Sequence, residues 1–325
     1  MDSAGRPLKI PITPMIGGPS TDVAPVTAGD PLMAGAPVTV AAALRRAAHM
    51  LSSHGDSPRL DAEILLGWIL GLPRSALIVR GADPVSAETQ VAYDELIARR
   101  LRGAPVAYLT GTREFWSLEF DVTPDVLVPR PETEVLVELA LGLLPKDVPL
   151  SVLDLGTGSG AIALAIASER PLVSMTGVDV SARALAVAMA NSRKLELMQV
   201  EWRAGSWFQG VRGRRFDMIV SNPPYVASND PALERLAAEP ALALSCGPTG
   251  LEAIDHIIDG AAGHLNPGGW LLLEHGNTQA DDVARRLERR GFDDIRSHAD
   301  FSGNARVTLG AIHHSPDRLP QKEHQ

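Results

Sequence analysis

From residue 151 onward, short apolar runs alternate with helix-period segments, and the first run opens directly into Asp154-Leu155-Gly156-Thr157-Gly158-Ser159-Gly160. The pattern predicts strands over Val152–Asp154, Val173–Val178, Gln199–Trp202, Phe216–Val220, Trp270–Glu274, Ile295–Ser297 and Arg306–Leu309. It predicts helices near 160–169, 181–194, 251–264 and 278–290. Such alternation specifies an α/β fold whose mostly parallel sheet is covered on both faces. Ligands then bind at the carboxyl ends of the strands, where the winding reverses.

The rest of the chain differs. Residues 1–37 hold seven of the 25 prolines with few large apolar side chains, which predicts a disordered extension, and 314–325 predict a disordered tail. Residues 38–110 predict a small helical bundle. Thr39 caps Val40–Leu51, Ser57-Pro58 supplies the N-cap and first position of Arg59–Leu70, and Ser86 starts a helix through Arg102. Residues 111–130 predict a β-hairpin linker that turns at Thr123-Pro124-Asp125, followed by a helix over Val135–Leu144. Residues 131–313 form the second domain.

Composition narrows the function. The single cysteine, Cys246, excludes a disulfide framework, and the formal charge of −9 argues against general nucleic-acid coating. The longest apolar run, Ala161–Ala167, is too short to span a bilayer, and the N-terminus lacks a secretory pattern. A cytoplasmic protein with no membrane or direct nucleic-acid partner is expected.

The glycine loop permits a tight turn and close ligand approach. Its G-x-G-x-G spacing, preceded by an acid, departs from the G-x-G-x-x-G of dinucleotide sites and suits a ligand without a pyrophosphate, such as S-adenosylmethionine. Asp179 ends the second strand, 19 residues after Gly160. Its carboxylate can accept both ribose hydroxyls, or serve as a charge ahead of the next helix. Trp207 is placed either against an adenine or in the core.

Ser221-Asn222-Pro223-Pro224-Tyr225 follows the fourth strand. Two prolines remove two N–H donors and leave carbonyl acceptors on a stiff chain. Asn222 Oδ1 and the Pro223 carbonyl could hold the two N–H bonds of a planar NH2 group, with Tyr225 stacked on its face. The target is an amide or an exocyclic amine.

These two motifs resemble the N5-glutamine methyltransferases of peptide chain release factors. The resemblance runs from about 40 to 312 and includes Ala104–Gly111, Glu114-Phe115-Trp116, Val128–Glu134 and Leu273-Glu274-His275-Gly276 with Gln279. It implies a class I S-adenosylmethionine-dependent methyltransferase with a Rossmann-like, mostly parallel seven-stranded sheet. It further implies transfer of a methyl group to the glutamine of a Gly-Gly-Gln motif, with S-adenosylhomocysteine as product. Gly156, Thr157, Gly158, Ser159, Gly160, Asp179, Trp207 and Asn222 would bind the cofactor. Asn222, Pro223, Pro224 and Tyr225 would hold the glutamine, with Asn222, Pro223 and Tyr225 as the catalytic set. The helical domain would dock the release factor, and the enzyme would act as a monomer.

Ser206 stands where the family often carries an acid, so an adenine contact there would be weaker. Arg130 and Glu132 either shape the cofactor mouth or pin the hairpin to the sheet. His275 is placed at the cofactor pocket or in a polar loop, and Cys246 has no evident base beside it. A ribosomal-protein glutamine methyltransferase is the nearest alternative. An adenine N6 or guanine N2 methyltransferase is the next, and the absence of a Lys/Arg-rich arm weighs against it.

Overall fold

The computed structural model describes residues 38–54 and 57–313. The expectations for residues 1–37 and 314–325 lie outside the described residues. The helical unit contains α1 (Val40–Met50), α2 (Pro58–Leu70), α3 (Arg74–Val79), α4 (Ala87–Leu101) and α5 (Val106–Thr110). Thr39 and Ser86 cap α1 and α4 with side-chain oxygens that accept from Ala42 and Thr89 amides. Ser57 makes no such bond, and α2 starts instead on Pro58, whose missing N–H needs no partner. Tyr93 and Ile97 of α4 close the bundle core with Leu44, Leu65 and Leu66. The short helices α3 and α5 were not foreseen, because five or six residues carry too little periodicity to register.

The hairpin pairs β1 (Thr112–Phe115) with β2 (Leu118–Asp121), Phe115 opposite Leu118. Its turn lies at Trp116-Ser117, both at positive φ (52° and 57°), and not at Thr123–Asp125 as predicted. A two-residue hairpin turn demands left-handed backbone, for which Asn-Gly is the usual signal, and Trp-Ser hides it. Tertiary contacts hold the strained turn: the Trp116 amide donates to Glu134 at 2.8 Å and its indole to Glu169 at 3.3 Å. A one-turn 3-10 helix, Pro131–Thr133, then leads into α6 (Glu134–Leu143).

Next come β3 (Ser151–Leu155), α7 (Ala161–Glu169), β4 (Ser174–Asp179), α8 (Ala182–Lys194), β5 (Glu201–Ala204) and β6 (Phe216–Ser221). The chain continues through α9 (Ala232–Arg235), α10 (Ala241–Leu244), α11 (Glu252–His264), β7 (Leu265–Glu274), α12 (Ala280–Arg289), β8 (Asp293–Ala299) and β9 (Ala305–Ile312). The seven strands run in the order β5-β4-β3-β6-β7-β9-β8, parallel from β5 to β7 and antiparallel at β9 and β8. All seven predicted strands are present. β5 starts two residues later than predicted, and the last three extend further.

The sheet separates two cores, as period-2 side chains require. Val152, Met218, Val220 and Leu272 face α6 and α7. Leu153, Ile219, Leu271 and Leu273 face α11 and α12. The winding reverses between β3 and β6, whose ends are matched at Leu155 and Ser221. Ser221 Oγ ties them by donating to the Leu155 carbonyl at 2.7 Å. Among the described residues, no helix is long and apolar enough to cross a membrane.

Candidate active site

A cleft of about 790 Å³ opens at this reversal point. The glycine loop after β3, Asp179 at the end of β4, Ser206 and Trp207 after β5, and Asn222 after β6 all line it. Further lining comes from Val126, Leu127, Pro129 and Arg130, from Pro240 to Ala243, and from Ala253 and His256 of α11.

Gly156, Gly158 and Gly160 all have positive φ (71°, 55° and 81°), a conformation that side chains resist. The amides of Gly156 and Thr157 both donate to the Val178 carbonyl, and Gly158 donates to Asp179 Oδ2 at 2.9 Å. The base of the loop needs bare backbone for a second reason. A Cβ on Gly160 would lie 2.9 Å from the Trp202 ring, and one on Gly177 of β4 would lie 2.5 Å from it. Asn191 of α8 supports the loop by donating to the Ser159 carbonyl at 2.9 Å, while its Oδ1 accepts from the Asp121 amide at 2.7 Å. A helix asparagine gave no sequence signal for that role.

Two carboxylates stand at the loop. Asp179 Oδ1 accepts from Ser181 at 2.8 Å, so each oxygen holds one backbone amide and keeps further acceptor capacity. Both readings of Asp179 are therefore compatible with its position, and burial raises its pKa. Asp154 is wholly buried. Its Oδ2 accepts from Thr157 Oγ1 at 2.6 Å, whereas Oδ1 has no hydrogen-bond partner among the described residues. Burial pushes its pKa up to about 7, and the charge of Asp179 adds to the rise.

Trp207 sits at positive φ (51°) and packs at the edge of the α11 core. Its ring faces Gly156 and stands 6.2 Å from the His256 ring. Such strain in a non-glycine residue clusters at ligand clamps.

Asn222 lines the cleft, and its Nδ2 donates to Thr133 Oγ1 at 3.2 Å. Its Oδ1 takes no donor among the described residues. Pro224 also lines the cleft, but Pro223 and Tyr225 are not among the lining residues. The Tyr225 hydroxyl instead turns inward and donates to Glu274 Oε1 at 3.2 Å. Glu274 is buried, its Oε2 is unpartnered, and burial pushes its pKa up to about 7. Gln279 holds the same loop through the Tyr225 carbonyl at 3.2 Å.

Arg130 lines the cleft and pairs with the buried Glu239, whose other oxygen accepts from the Val128 amide at 3.1 Å. It pins the post-hairpin segment to the segment before α10, rather than to the sheet. His275 is wholly buried, bonded to Thr308 Oγ1 at 2.8 Å and the Gly276 carbonyl at 2.9 Å, and it does not line the cleft. The Cys246 thiol lies 3.0 Å from the Pro224 carbonyl, and burial raises its pKa. Glu274, Thr133, Asn191 and Glu239 were not assigned roles from sequence. Each acts through a partner distant in the chain.

Residues 42–111 match the family model described as PrmC N-terminal domain, and residues 133–248 match the Methyltransferase small domain. The chain is 49% identical over 259 residues to the release factor glutamine methyltransferase of Pseudomonas aeruginosa, covering 78% of this chain and 94% of that one. It is 46% identical over 257 residues to that of Salmonella typhimurium, covering 78% and 92%. The hMettl16 catalytic domain shares the fold, with a TM-score of 0.51 at 16% identity over 65% of this chain and 81% of that chain. With nearly the whole length of its relatives matched at this identity, the chain belongs to the release factor glutamine methyltransferase family.

Proposed function

We propose that the protein transfers a methyl group from S-adenosylmethionine to the side-chain amide nitrogen of the glutamine in the Gly-Gly-Gln motif of peptide chain release factors. The observation that carries this is Asn222. It lines the cleft at the reversal point with no donor on Oδ1 among the described residues, beside a glycine loop, the buried carboxylate of Asp154 and the partly exposed one of Asp179.

The residues fit the cofactor. Asp179 has acceptor capacity left for ribose hydroxyls, and Trp207 offers a ring to the adenine, with Ser206 beside it. Asp154 Oδ1, buried without a donor, suits the ammonium of the amino-acid end, directly or through one water. The bare backbone of Gly156–Gly160 accommodates the rest, with Thr157 and Ser159 buried beneath it. When bound, S-adenosylmethionine supplies an electrophilic methyl group on a positively charged sulfonium.

The chain's own part is positioning. An amide nitrogen is a poor nucleophile because its lone pair is delocalised into the carbonyl. Asn222 Oδ1 accepts one N–H bond and holds the nitrogen in line, with the carbonyl of Pro223, which lies just behind the cleft lining, as acceptor for the other. Orientation of this kind can contribute roughly 7–11 kcal/mol in the best cases. The apolar wall from Val126 to Pro129 and Pro240 to Ala243 excludes water, which favours dispersal of the sulfonium charge. The Tyr225 ring stiffens the loop from behind rather than stacking on the substrate.

Residues 38–110 are the docking unit for the release factor, 111–130 the connecting hairpin and 131–313 the methyltransferase unit, acting in the cytoplasm as a monomer. The test is mass analysis of the Gly-Gly-Gln peptide after release factor is incubated with the protein and S-adenosylmethionine. One added methyl on the glutamine is expected. An unmodified peptide, with the protein folded and cofactor bound, would overturn the reading.

A further inference from the structure

Thr133 lies in the Arg130–Glu134 motif, where Arg130 and Glu134 have the partners described above and Thr133 has no assigned role. It is buried, at the end of the 3-10 turn before α6, and its Oγ1 is the acceptor for Asn222 Nδ2 at 3.2 Å. Near it stands the buried carboxylate of Glu274 at the end of β7, whose pKa the Thr133 hydroxyl lowers and whose Oε2 has no hydrogen-bond partner among the described residues. The Tyr225 hydroxyl occupies Glu274 Oε1 from the other side.

This arrangement solves a problem of orientation. The oxygen and nitrogen ends of an asparagine amide are nearly the same shape, so packing does not choose between them. Only the oxygen end can receive a substrate N–H; the flipped form would set NH2 against NH2. A threonine hydroxyl alone does not choose either, because it both donates and accepts. It becomes a dedicated acceptor once its single proton is committed elsewhere. An ionised carboxylate can only accept, and the unpartnered Oε2 of Glu274 is an acceptor open to that proton.

Resting on the function proposed above, we infer that Thr133 and Glu274 are positioning residues that hold Asn222 with its oxygen facing the substrate amide. If Glu274 becomes protonated it can donate to Thr133, whose proton is then free to turn toward Asn222 Oδ1 and favour the flipped amide. The groups facing Glu274 are Tyr225 from the Asn222 loop, Thr133 and Glu132 from the 3-10 turn, and Arg306 from β9. Glu274→Gln imitates the protonated state: its oxygen still accepts from Tyr225, while its NH2 is directed at Thr133.

The experiment is single-turnover methyl transfer to release factor at saturating S-adenosylmethionine, with cofactor affinity and thermal unfolding measured on the same variants. Thr133→Val should slow transfer by about 10- to 100-fold, the range for partners that orient a reacting group, with cofactor Kd unchanged. Thr133→Ser should restore most of the rate. In an Asn222→Ala background, Thr133→Val should add nothing, since its whole effect runs through Asn222. Glu274→Gln should slow transfer at every pH and abolish the acid-side fall of the parent's rate, and it serves if Thr133→Val does not fold. A parent-like rate in Thr133→Val or Glu274→Gln alongside a slow Asn222→Ala would overturn the inference and leave the assigned function standing. Additive losses in the double variant would also overturn it. A parent-like rate in Asn222→Ala would instead remove the reading of the site itself.

Discussion

Asp154 and Asp179 close neighbouring parallel strands of one cleft with opposite hydrogen-bond states: Asp179 holds a backbone amide on each oxygen, whereas Asp154 keeps one buried oxygen with no partner. The difference follows from position. Asp179 stands at the strand end, where free amides of the glycine loop and of the turn before α8 point at it. Asp154 is one residue inside β3, beneath the loop. The proposed function uses both states: Asp179 keeps acceptor capacity for hydroxyls, and Asp154 has an oxygen for a cation.

Asp179→Ala should weaken S-adenosylmethionine binding by about 1–3 kcal/mol, the scale for hydrogen bonds to a charged group. Calorimetry checks this, and unchanged affinity would take Asp179 out of the ribose role. Because Gly158 and Ser181 lose their acceptor too, the ligand-free protein should also melt lower.

Asp154 gives a pH signature. Its carboxyl titrates near 7 when folded, against a reference value of 3.8. Between those values the folded chain keeps a proton that the unfolded chain has lost, so this group's contribution makes stability fall as pH rises from about 4 to 7. A bound cation favours the ionised form, so cofactor affinity should rise across the same range. Asp154→Asn should flatten both trends, read from unfolding and titration calorimetry at pH 5.5 and pH 8. A variant that keeps the parent's pH dependence would assign it to another group.

Gly177 is an internal strand residue whose role is space alone, since its φ is ordinary. A Cβ there would meet the Trp202 ring at 2.5 Å and Thr157 Oγ1 at 3.0 Å. Gly177→Ala should therefore cost about 1–3 kcal/mol of stability, as overpacking does. By pushing Thr157 it should also weaken cofactor binding. Denaturant midpoints equal to the parent's would show that Trp202 can move aside.

Asn222→Ala should lower the rate of methyl transfer by about 10²–10³, or roughly 2.7–4 kcal/mol, as when one positioned polar group is removed from a transition-state site. Tyr225→Phe should act differently, removing the hydroxyl that donates to Glu274 Oε1 and lowering stability by about 1–3 kcal/mol. If Tyr225→Phe changes only the Michaelis constant for release factor and not the melting temperature, the hydroxyl meets substrate instead.

Truncation separates docking from chemistry, but the cut matters. Ala107 and Tyr108 of α5 pack with Val122, Val126, Val128 and Ala184 against the methyltransferase unit. Removal of residues 38–103 should reduce methylation of whole release factor while cofactor affinity holds. Equal methylation of whole release factor by this form would show that docking lies elsewhere.

Much of this was legible in the sequence because it is local. Strand-helix alternation, the glycine spacing and the double proline after β6 each report on a few adjacent residues, and the backbone turns they demand can be read without knowing the fold. The hairpin turn was misplaced because its left-handed Trp116-Ser117 is held by Glu134 and Glu169, 17 or more residues away. The bond from the Tyr225 hydroxyl to Glu274, 49 residues on, was illegible because nothing nearby in sequence announces that partner.

The sequence by itself determined the sheet class, the two motifs and the end of the sheet where they meet, since a parallel strand followed by a crossover has few topologies open to it. Only the tertiary structure decided which atoms of those motifs face the cleft. Asn222 donates to Thr133, 89 residues away, and Asp154 is left without a partner for one oxygen. Hydrogen-bond commitment inside a core depends on which groups packing brings within reach, and burial makes each such choice costly to reverse.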